Sequence, residues 1–268
     1  SRLLTLASGE ITYVDDVFST FLYTGATNAA LTITNGIDLD GEGGLVWTKN
    51  RAQTDPHAFF DTERGTTKVL YSNSDSGEST DSNEITSFNS NGYSLHQDGG
   101  TTNGNGNSYC SWTFRKCRGF FDIVTYTGNA TAGRTIAHNL GSVPGSIWVK
   151  RLDGDDNWTV YHRGTDSTSP EDYVTFLNTT AARSDQDLWA DTAPTNSVFS
   201  VGDNVKVNGN NNTYVAYLFA HNDGSFGEDS DEAVIKCGSY TGNDNSDGPS
   251  VNLGFEPQWL LVKSVDSS

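Results

Sequence analysis

The sequence predicts an all-β fold made of tandem antiparallel β-sandwich repeats of jelly-roll-like type. Three observations predict it: a composition rich in turn formers, short aromatic and β-branched runs between turns, and an internal repeat. Hydrophobic residues make up 34% and charged residues 19% of the chain, both low for a globular protein. Aromatic residues reach 11%, which argues against disorder, because disordered chains are poor in aromatics.

The repeat begins with a Tyr-Thr-Gly triplet, found at residues 23–25, 126–128 and 240–242. In the second and third copies, an Asn-Leu-Gly triplet, a proline and an apolar run ending in lysine follow at matched spacings. The first copy is looser but has a similar run at residues 45–49. We therefore predict four segments along the chain. They are an N-terminal attachment segment (1–16), a first β-sandwich repeat (17–121), a second (122–232) and the start of an incomplete third (233–268).

Within the repeats, strands are predicted where apolar and aromatic residues lie between turn residues. The runs at 109–114 and 214–219 each follow an Asn/Gly-rich turn, and the second carries apolar or aromatic groups on both faces, as a central buried strand does. Further strands are expected at 147–150 and, opening the third repeat, at 260–263. The residues expected to be buried or half-buried are Trp112, Phe114, Trp148, Val149, Tyr217 and Phe219.

The charge of the chain excludes some classes of partner. The net charge is −18 and the isoelectric point is near 4.4, so phosphate backbones and anionic membrane surfaces should be repelled. No apolar run approaches the roughly 20 residues that a membrane span needs, and the start of the chain is too short in apolar residues for a signal peptide. Three cysteines, an odd count, are typical of assembly in a reducing cytosol. We expect no nucleic-acid partner and no membrane insertion.

No residue is identified as catalytic or cofactor-binding. The chain has no nucleophile elbow, and acidic pairs such as Asp153/Asp155 and Glu228/Asp231 lie among loop residues. The five histidines are His57, His96, His138, His162 and His221. Of these, His138 and His162 lie near strand ends and are expected to tie a loop or an adjacent domain by hydrogen bonds.

The sequence leaves open whether the chain binds a metal ion, and calcium is the candidate. Hard oxygen ligands come from three acidic or amide-rich segments, none of which completes an EF-hand loop. The alternative for each is an ordinary acidic turn. These segments are Asp38-x-Asp40-x-Glu42, Asp153-x-Asp155-Asp156 and Asn243-x-Asn245-x-Asp247.

Residues shared by the copies are mostly aromatic, aliphatic, glycine and proline. Trp47, Trp148 and Trp259 recur around one strand, where core packing is the alternative to stacking on sugars. The matched lysines Lys49, Lys150 and Lys263 end that strand and are expected to extend to solvent. Matched Arg64 and Arg163 are expected to bond loops. Binding, if present, is expected from loops 75–83 and 165–172.

A family resemblance is carried by residues 16–20, 111–116, 119–122, 132–145, 160–163 and 214–221, together with the Tyr-Thr-Gly triplets. These segments resemble virion structural proteins of marine and aquatic tailed phages, which are often labelled tail fibre or virion protein. The resemblance spans residues 15–265. It implies a place in the phage particle and a longer protein with further domains beyond residue 268. It implies no catalytic residue and no known ligand.

The sequence and the resemblance together predict a non-enzymatic structural component of a bacteriophage virion, assembled in the host cytoplasm. A tail fibre or tail-associated appendage for assembly or host attachment is the first hypothesis. The expected partners are copies of the same chain, with a trimer as the leading hypothesis, other virion proteins and a host-surface glycan or receptor. The alternatives are a capsid decoration protein, a secreted bacterial β-repeat adhesin and a polysaccharide depolymerase.

Overall fold

The computed structural model describes residues 11–26 and 28–266. Strands make up 34% and helices 4% of the structure, and its strand pairs are antiparallel, which confirms the all-β sandwich class. Residues 1–10 of the predicted attachment segment lie outside the described residues. The end of that segment packs against the folded core, because Val14, the first residue of the four-residue helix α1 (Val14–Val17), is partly buried against it.

Unit 1 (residues 14–120) is a sandwich of a six-stranded and a three-stranded sheet. The larger sheet has the strand order β1-β9-β3-β4-β5-β6, and the smaller one has the order β2-β8-β7. The strands are β1 (Phe18–Thr24), β2 (Leu31–Thr34), β3 (Gly44–Asn50), β4 (Ala58–Asp61), β5 (Lys68–Tyr71), β6 (Ser79–Thr80), β7 (Ile85–Asn89), β8 (Gly92–Leu95) and β9 (Ser108–Arg115).

Unit 2 (residues 121–232) repeats this topology. Its sheets have the orders β10-β17-β12-β13-β14-β15 and β11-β16. Every strand of unit 2 has a counterpart in unit 1, and β7 of unit 1 is the one strand without a counterpart among the described residues of unit 2. A 3₁₀ turn spans Pro170–Asp172. The other elements are β10 (Phe121–Thr127), β11 (Arg134–Ala137), β12 (Ser146–Arg151), β13 (Thr159–His162), β14 (Tyr173–Phe176), β15 (Ser184–Asp185), β16 (Val198–Val201), α2 (Val205–Asn208) and β17 (Thr213–Phe219).

The units stack through their six-stranded sheets and form four layers. One hydrophobic cluster lies between the two large sheets, and each unit has a further cluster between its own large and small sheets. Strands β9 and β17 are therefore covered on both faces, which explains the continuous apolar run of β17 and the burial of Ser111 and Thr113 in β9. Of the six predicted core residues, five are buried and Trp112 is half-buried.

The Tyr-Thr-Gly triplet marks a tertiary corner, which unit 2 shows clearly. Tyr126 stacks on Tyr214 at 5.1 Å, and the Tyr214 hydroxyl accepts a hydrogen bond from the Gly209 N–H at 2.7 Å. Buried Asn208 accepts from the N–H of the residue after Gly128 at 3.0 Å. A Cβ on Gly128 would overlap the Gly209 carbonyl oxygen, so only glycine fits there. The corner locks the first strand of the unit to the turn before its last strand.

Unit 1 has the same corner. Tyr23 stacks on Tyr109 at 5.0 Å, and the Tyr109 hydroxyl accepts from the Gly104 N–H at 2.7 Å. Asn103 accepts from the N–H of the residue after Gly25 at 2.8 Å. The short sequence repeat therefore reports one conserved arrangement of hydrogen bonds and stacked rings in both units.

The third copy of the triplet forms no such corner. The strand predicted at residues 260–263 is absent, and no strand is formed within residues 233–266. In the complete units, the equivalent strands β3 and β12 each lie between two partner strands. The described part of the third copy supplies neither partner, so its backbone has no ladder to join. Tyr240, which has no last strand to stack on, is 52% exposed.

The corner predicts a sharp contrast between two glycines. We expect Gly128→Ala to destabilise unit 2 by about 1–3 kcal/mol, because the added methyl group overlaps a backbone carbonyl that cannot move freely. Gly242→Ala is the matched control, since a Cβ there meets no atom within 4 Å. Urea denaturation of both variants measures the difference. Equal stability of the two would contradict the corner.

Candidate functional site

Aromatic side chains from both units form the surface at which the large sheets meet. The Phe59 ring of unit 1 lies 6.4 Å from Trp148, 5.2 Å from Trp158 and 5.6 Å from Tyr217 of unit 2. Trp47 meets Trp148 edge-on at 6.1 Å. Buried aromatics of this size stabilise by roughly 1.5–3 kcal/mol each. The two units therefore share one hydrophobic core and are not separate domains joined by a linker.

A buried charged network crosses the same surface. The Asp61 carboxylate at the end of β4 accepts from Arg64 Nε at 2.6 Å and from the Tyr217 hydroxyl of unit 2 at 2.6 Å. Arg64 also pairs with Glu78 at 3.3 Å, and its side chain is 2% exposed. Burial tends to lower the pKa of Arg64, but Asp61, Tyr217 and Glu78 raise it above its ordinary value. The matched charges make this burial tolerable.

Lys150 contradicts the expectation that the matched lysines extend to solvent. It is fully buried, and its ammonium donates to the carbonyl oxygens of Asp75 at 2.8 Å and Asp156 at 2.7 Å. Burial lowers its pKa to about 8. Its counterpart Lys49 similarly donates to the Asp55 carbonyl at 2.9 Å. These lysines fix loops by binding carbonyl groups, and Lys150 does so across the two units.

Loop 75–83, one of the two predicted binding loops, lies partly within the contact between the units. The Asp156 N–H donates to the Asp75 carbonyl at 2.9 Å, and the Glu78 N–H donates to the Leu152 carbonyl at 2.7 Å. Gly77 donates its N–H to the Asp155 carboxylate at 3.1 Å. The first half of this loop is therefore occupied by unit 2 and not free to display a binding surface.

The C-terminal segment (residues 233–266) packs over both units. Trp259 lies 5.9 Å from Trp47 and 5.6 Å from Phe114, ring centre to ring centre. The Lys263 ammonium donates to the Thr179 carbonyl at 2.9 Å, and the Val265 carbonyl accepts from the N–H of residue 183 at 2.9 Å. Together with the two units, this segment creates a junction of three parts of the chain.

A cleft of ≈ 370 Å³ opens at this junction. Unit 1, unit 2 and the C-terminal segment all contribute to its walls. The lining includes Trp47, His57, Asn73, Asn178, Thr180 and Leu261.

A second cleft, of ≈ 530 Å³, lies where unit 1 meets the edge of β10 and β17. It contains carboxylates, but they are paired. Glu78 contacts Lys68 at 3.1 Å besides Arg64, and Asp153 contacts Arg151 at 2.8 Å. Burial raises the pKa of Asp153, but hydrogen bonds from Arg151 and neighbouring groups lower it below its ordinary value. The Asp153/Asp155 pair thus serves loop contacts.

Four histidines bond their own or a neighbouring loop through Nδ1. His96, His138 and His162 accept from the N–H two residues later, at 3.1 to 3.2 Å. His221 accepts from the Cys237 N–H at 3.1 Å. Burial raises the pKa of the Cys237 thiol to about 12, so it is not a poised nucleophile. His57 lines the smaller cleft instead.

The calcium candidates use their oxygens within the protein. Asp38 accepts from the Gly41 N–H at 2.8 Å, and Asn245 accepts from the N–H two residues later at 3.2 Å. Asp156 accepts from Arg151 at 3.3 Å. Across residues 11–26 and 28–266, no three His, Cys, Asp or Glu side chains are arranged to hold a metal ion.

The buried network predicts different costs for the two matched arginines. Arg64→Ala should destabilise the protein by about 3–5 kcal/mol, because it leaves Asp61 buried without its cation. Arg163→Ala, the control at an exposed position, should cost less than about 0.5 kcal/mol. Thermal and urea melts of both variants test this. Similar losses at both sites would contradict the role of the network.

His162 predicts a dependence of stability on pH. Burial, Arg163 and His221 lower its pKa from 6.5 to about 4, so the folded state keeps the ring neutral. Its contribution is fully present above pH 6.5 and is lost as the pH falls towards 4, because only the unfolded chain takes up the proton. Histidine NMR titration should place its midpoint well below that of a free histidine. His162→Gln should weaken the loss of stability in this range, and a normal midpoint would contradict the burial.

Comparison with known proteins gives one match. The model of a family described as a domain of unknown function (DUF7483) matches residues 14–268, nearly the whole chain. No curated protein and no solved structure matches it. Among the residues that the structure describes, no helix has the length and apolar character of a membrane-spanning segment. Because the family model covers nearly the whole chain, the chain belongs to the DUF7483 family.

Proposed function

We propose that the protein is a structural component of a bacteriophage virion, in a tail fibre or tail-associated appendage, and that it has no catalytic activity. The observation that carries the proposal is the shared core of units 1 and 2. It joins two sandwiches through aromatic rings and a buried network, instead of leaving a flexible linker between them. Such a rigid body suits a part that transmits load or holds a fixed geometry.

The resemblance to virion structural proteins of tailed phages supports the same proposal. The residues that carry it coincide with packing positions. Phe114, Tyr217 and Phe219 belong to the core between the sheets, and Tyr126 forms the corner of unit 2. The resemblance therefore concerns the architecture of the particle component and not a reactive site.

The proposed partners are further copies of the chain, other virion proteins and a host-surface glycan or receptor. Strands β1 and β10 lie at the edges of their sheets, where backbone groups face outwards. Leu22 in β1 is 60% exposed, and Leu260 in the C-terminal segment is 68% exposed. An exposed apolar group on an edge strand, as Leu22 is, is suited to a homo-oligomer, for which a trimer is the hypothesis.

The pairing of the carboxylates supports the non-enzymatic part of the proposal against a depolymerase. A glycosidase needs one carboxyl group with a raised pKa opposite a second, unpaired carboxylate. In the larger cleft, Glu78 and Asp153 instead bind arginine and lysine side chains. Incubation with host polysaccharide should leave the chain length of the polymer unchanged.

Incorporation into particles tests the proposal. The protein should be found by mass spectrometry in virions purified from the phage that encodes it. Deleting residues 1–10 should abolish incorporation and leave folding unchanged, since the core begins with Val14 and Val17. Gly242→Ala is the control, since it meets no neighbouring atom and should be incorporated normally. Absence of the full chain from virions would refute the function, and normal incorporation of the deletion variant would refute the attachment segment alone.

A further inference from the structure

Trp47 and Trp148 occupy equivalent positions in β3 and β12 but differ in one hydrogen bond. The Trp148 indole N–H donates to the Ser146 hydroxyl at 3.0 Å. Unit 1 has Leu45 at the position of that serine, and the Trp47 N–H finds no acceptor among the described residues. Trp47 is only 6% exposed, and its indole nitrogen is buried. Buried donors are rarely left unpaired, so this one is a candidate contact for a ligand.

The unpaired donor belongs to a side chain that lines the cleft of ≈ 370 Å³ at the junction of the three parts. Amide and hydroxyl groups of Asn73, Asn178 and Thr180 line the same cleft. The Asn73 Oδ1 accepts a hydrogen bond from the backbone N–H of His57 at 2.9 Å. The NH₂ group of Asn73 is a donor in addition to the indole N–H. The cleft therefore combines an indole ring with several small polar groups.

The charge of the lining narrows the class of ligand. No Asp, Glu, Lys or Arg is present among the described residues that line this cleft, although the chain carries a net charge of −18. Burial and the nearby Lys49 lower the pKa of His57, so its ring is neutral at neutral pH. An uncharged lining in so acidic a protein offers nothing to an ion. It suits a neutral ligand with many hydroxyl groups.

We propose that this cleft binds a neutral sugar residue of a glycan. The Trp47 indole supplies an N–H donor, and the amide and hydroxyl groups of Asn73 and Thr180 bond the sugar hydroxyls. The indole nitrogen is buried, so binding requires part of the lining to move; Leu261, which is 45% exposed, forms one wall. That wall belongs to a segment without strands, which makes it the part of the cleft best able to move.

Sugar binding by the cleft deepens the proposed role in host attachment. Its biological meaning rests on that proposed function, but the binding itself can be measured independently. Sugar binding is measured on the purified full chain, whereas the proposed function is measured by incorporation into virions. Failure of one measurement therefore leaves the other intact.

Indole N–H signals in ¹⁵N-labelled protein report binding directly. Methyl glycosides of glucose, galactose, mannose and N-acetylglucosamine are titrated into the protein one at a time. At least one should shift the Trp47 signal, with a Kd on the order of 1 mM, as for a single weakly held sugar ring. Trp47→Phe keeps an aromatic ring but removes the donor, and should weaken binding about tenfold, as measured by calorimetry.

Trp148→Phe is the matched control, because its N–H already has a partner, and its affinity should equal that of the wild type. Thr180→Val at an exposed position provides a second test if Trp47→Phe fails to fold, and should also weaken binding. A panel in which no sugar shifts the Trp47 signal would overturn the proposal. Unchanged sugar affinity in a folded Trp47→Phe variant would also overturn it. If Trp47→Phe does not fold, unchanged affinity in Thr180→Val would overturn it instead.

Discussion

The face-to-face stacking of the two six-stranded sheets constrains most other features of the molecule. Once both faces of β9 and β17 are covered, most of their side chains are buried, and those of β17 are apolar on both faces. A charged group caught between the sheets needs a partner there, because unpaired buried charges are costly. Asp61, Arg64 and Tyr217 meet this requirement by bonding one another across the units. The network follows from the stacking and also fixes its register.

The same stacking explains why loops that look independent in sequence are coupled. Lys150 reaches the Asp75 carbonyl, and the Trp158 indole donates to the Tyr71 carbonyl at 3.0 Å. Each bond links unit 2 to a loop or strand end of unit 1. The C-terminal segment then fills the remaining opening with Trp259, the third of the matched tryptophans. Beside it lies the small cleft, whose walls come from all three parts of the chain.

Much of the fold could be predicted because local signals agree with it. The turn-rich composition predicted many short strands, and the run at 214–219 identified a central strand, since both faces of that run are apolar. The candidate site could be predicted less well from the sequence than the fold. Lys150 was expected to reach solvent because a lysine at a strand end normally does, and nothing nearby in sequence reveals the carbonyl of Asp75. The strand at 260–263 was predicted from its own residues, whereas a strand also requires partners.

The sequence by itself determined the class of the fold, the repeat and the central strands, because turn propensity and hydrophobic period are local properties. It also identified Tyr-Thr-Gly as a recurring unit without giving a reason for it. Only the tertiary structure decided that two copies become corners and that the third does not, since the corner needs an Asn-Gly turn and a tyrosine from the last strand. Likewise, matched tryptophans are equivalent in sequence, but their contacts decide that Trp148 has a partner for its indole and Trp47 has none. Long-range contacts, which no local pattern encodes, determine both outcomes.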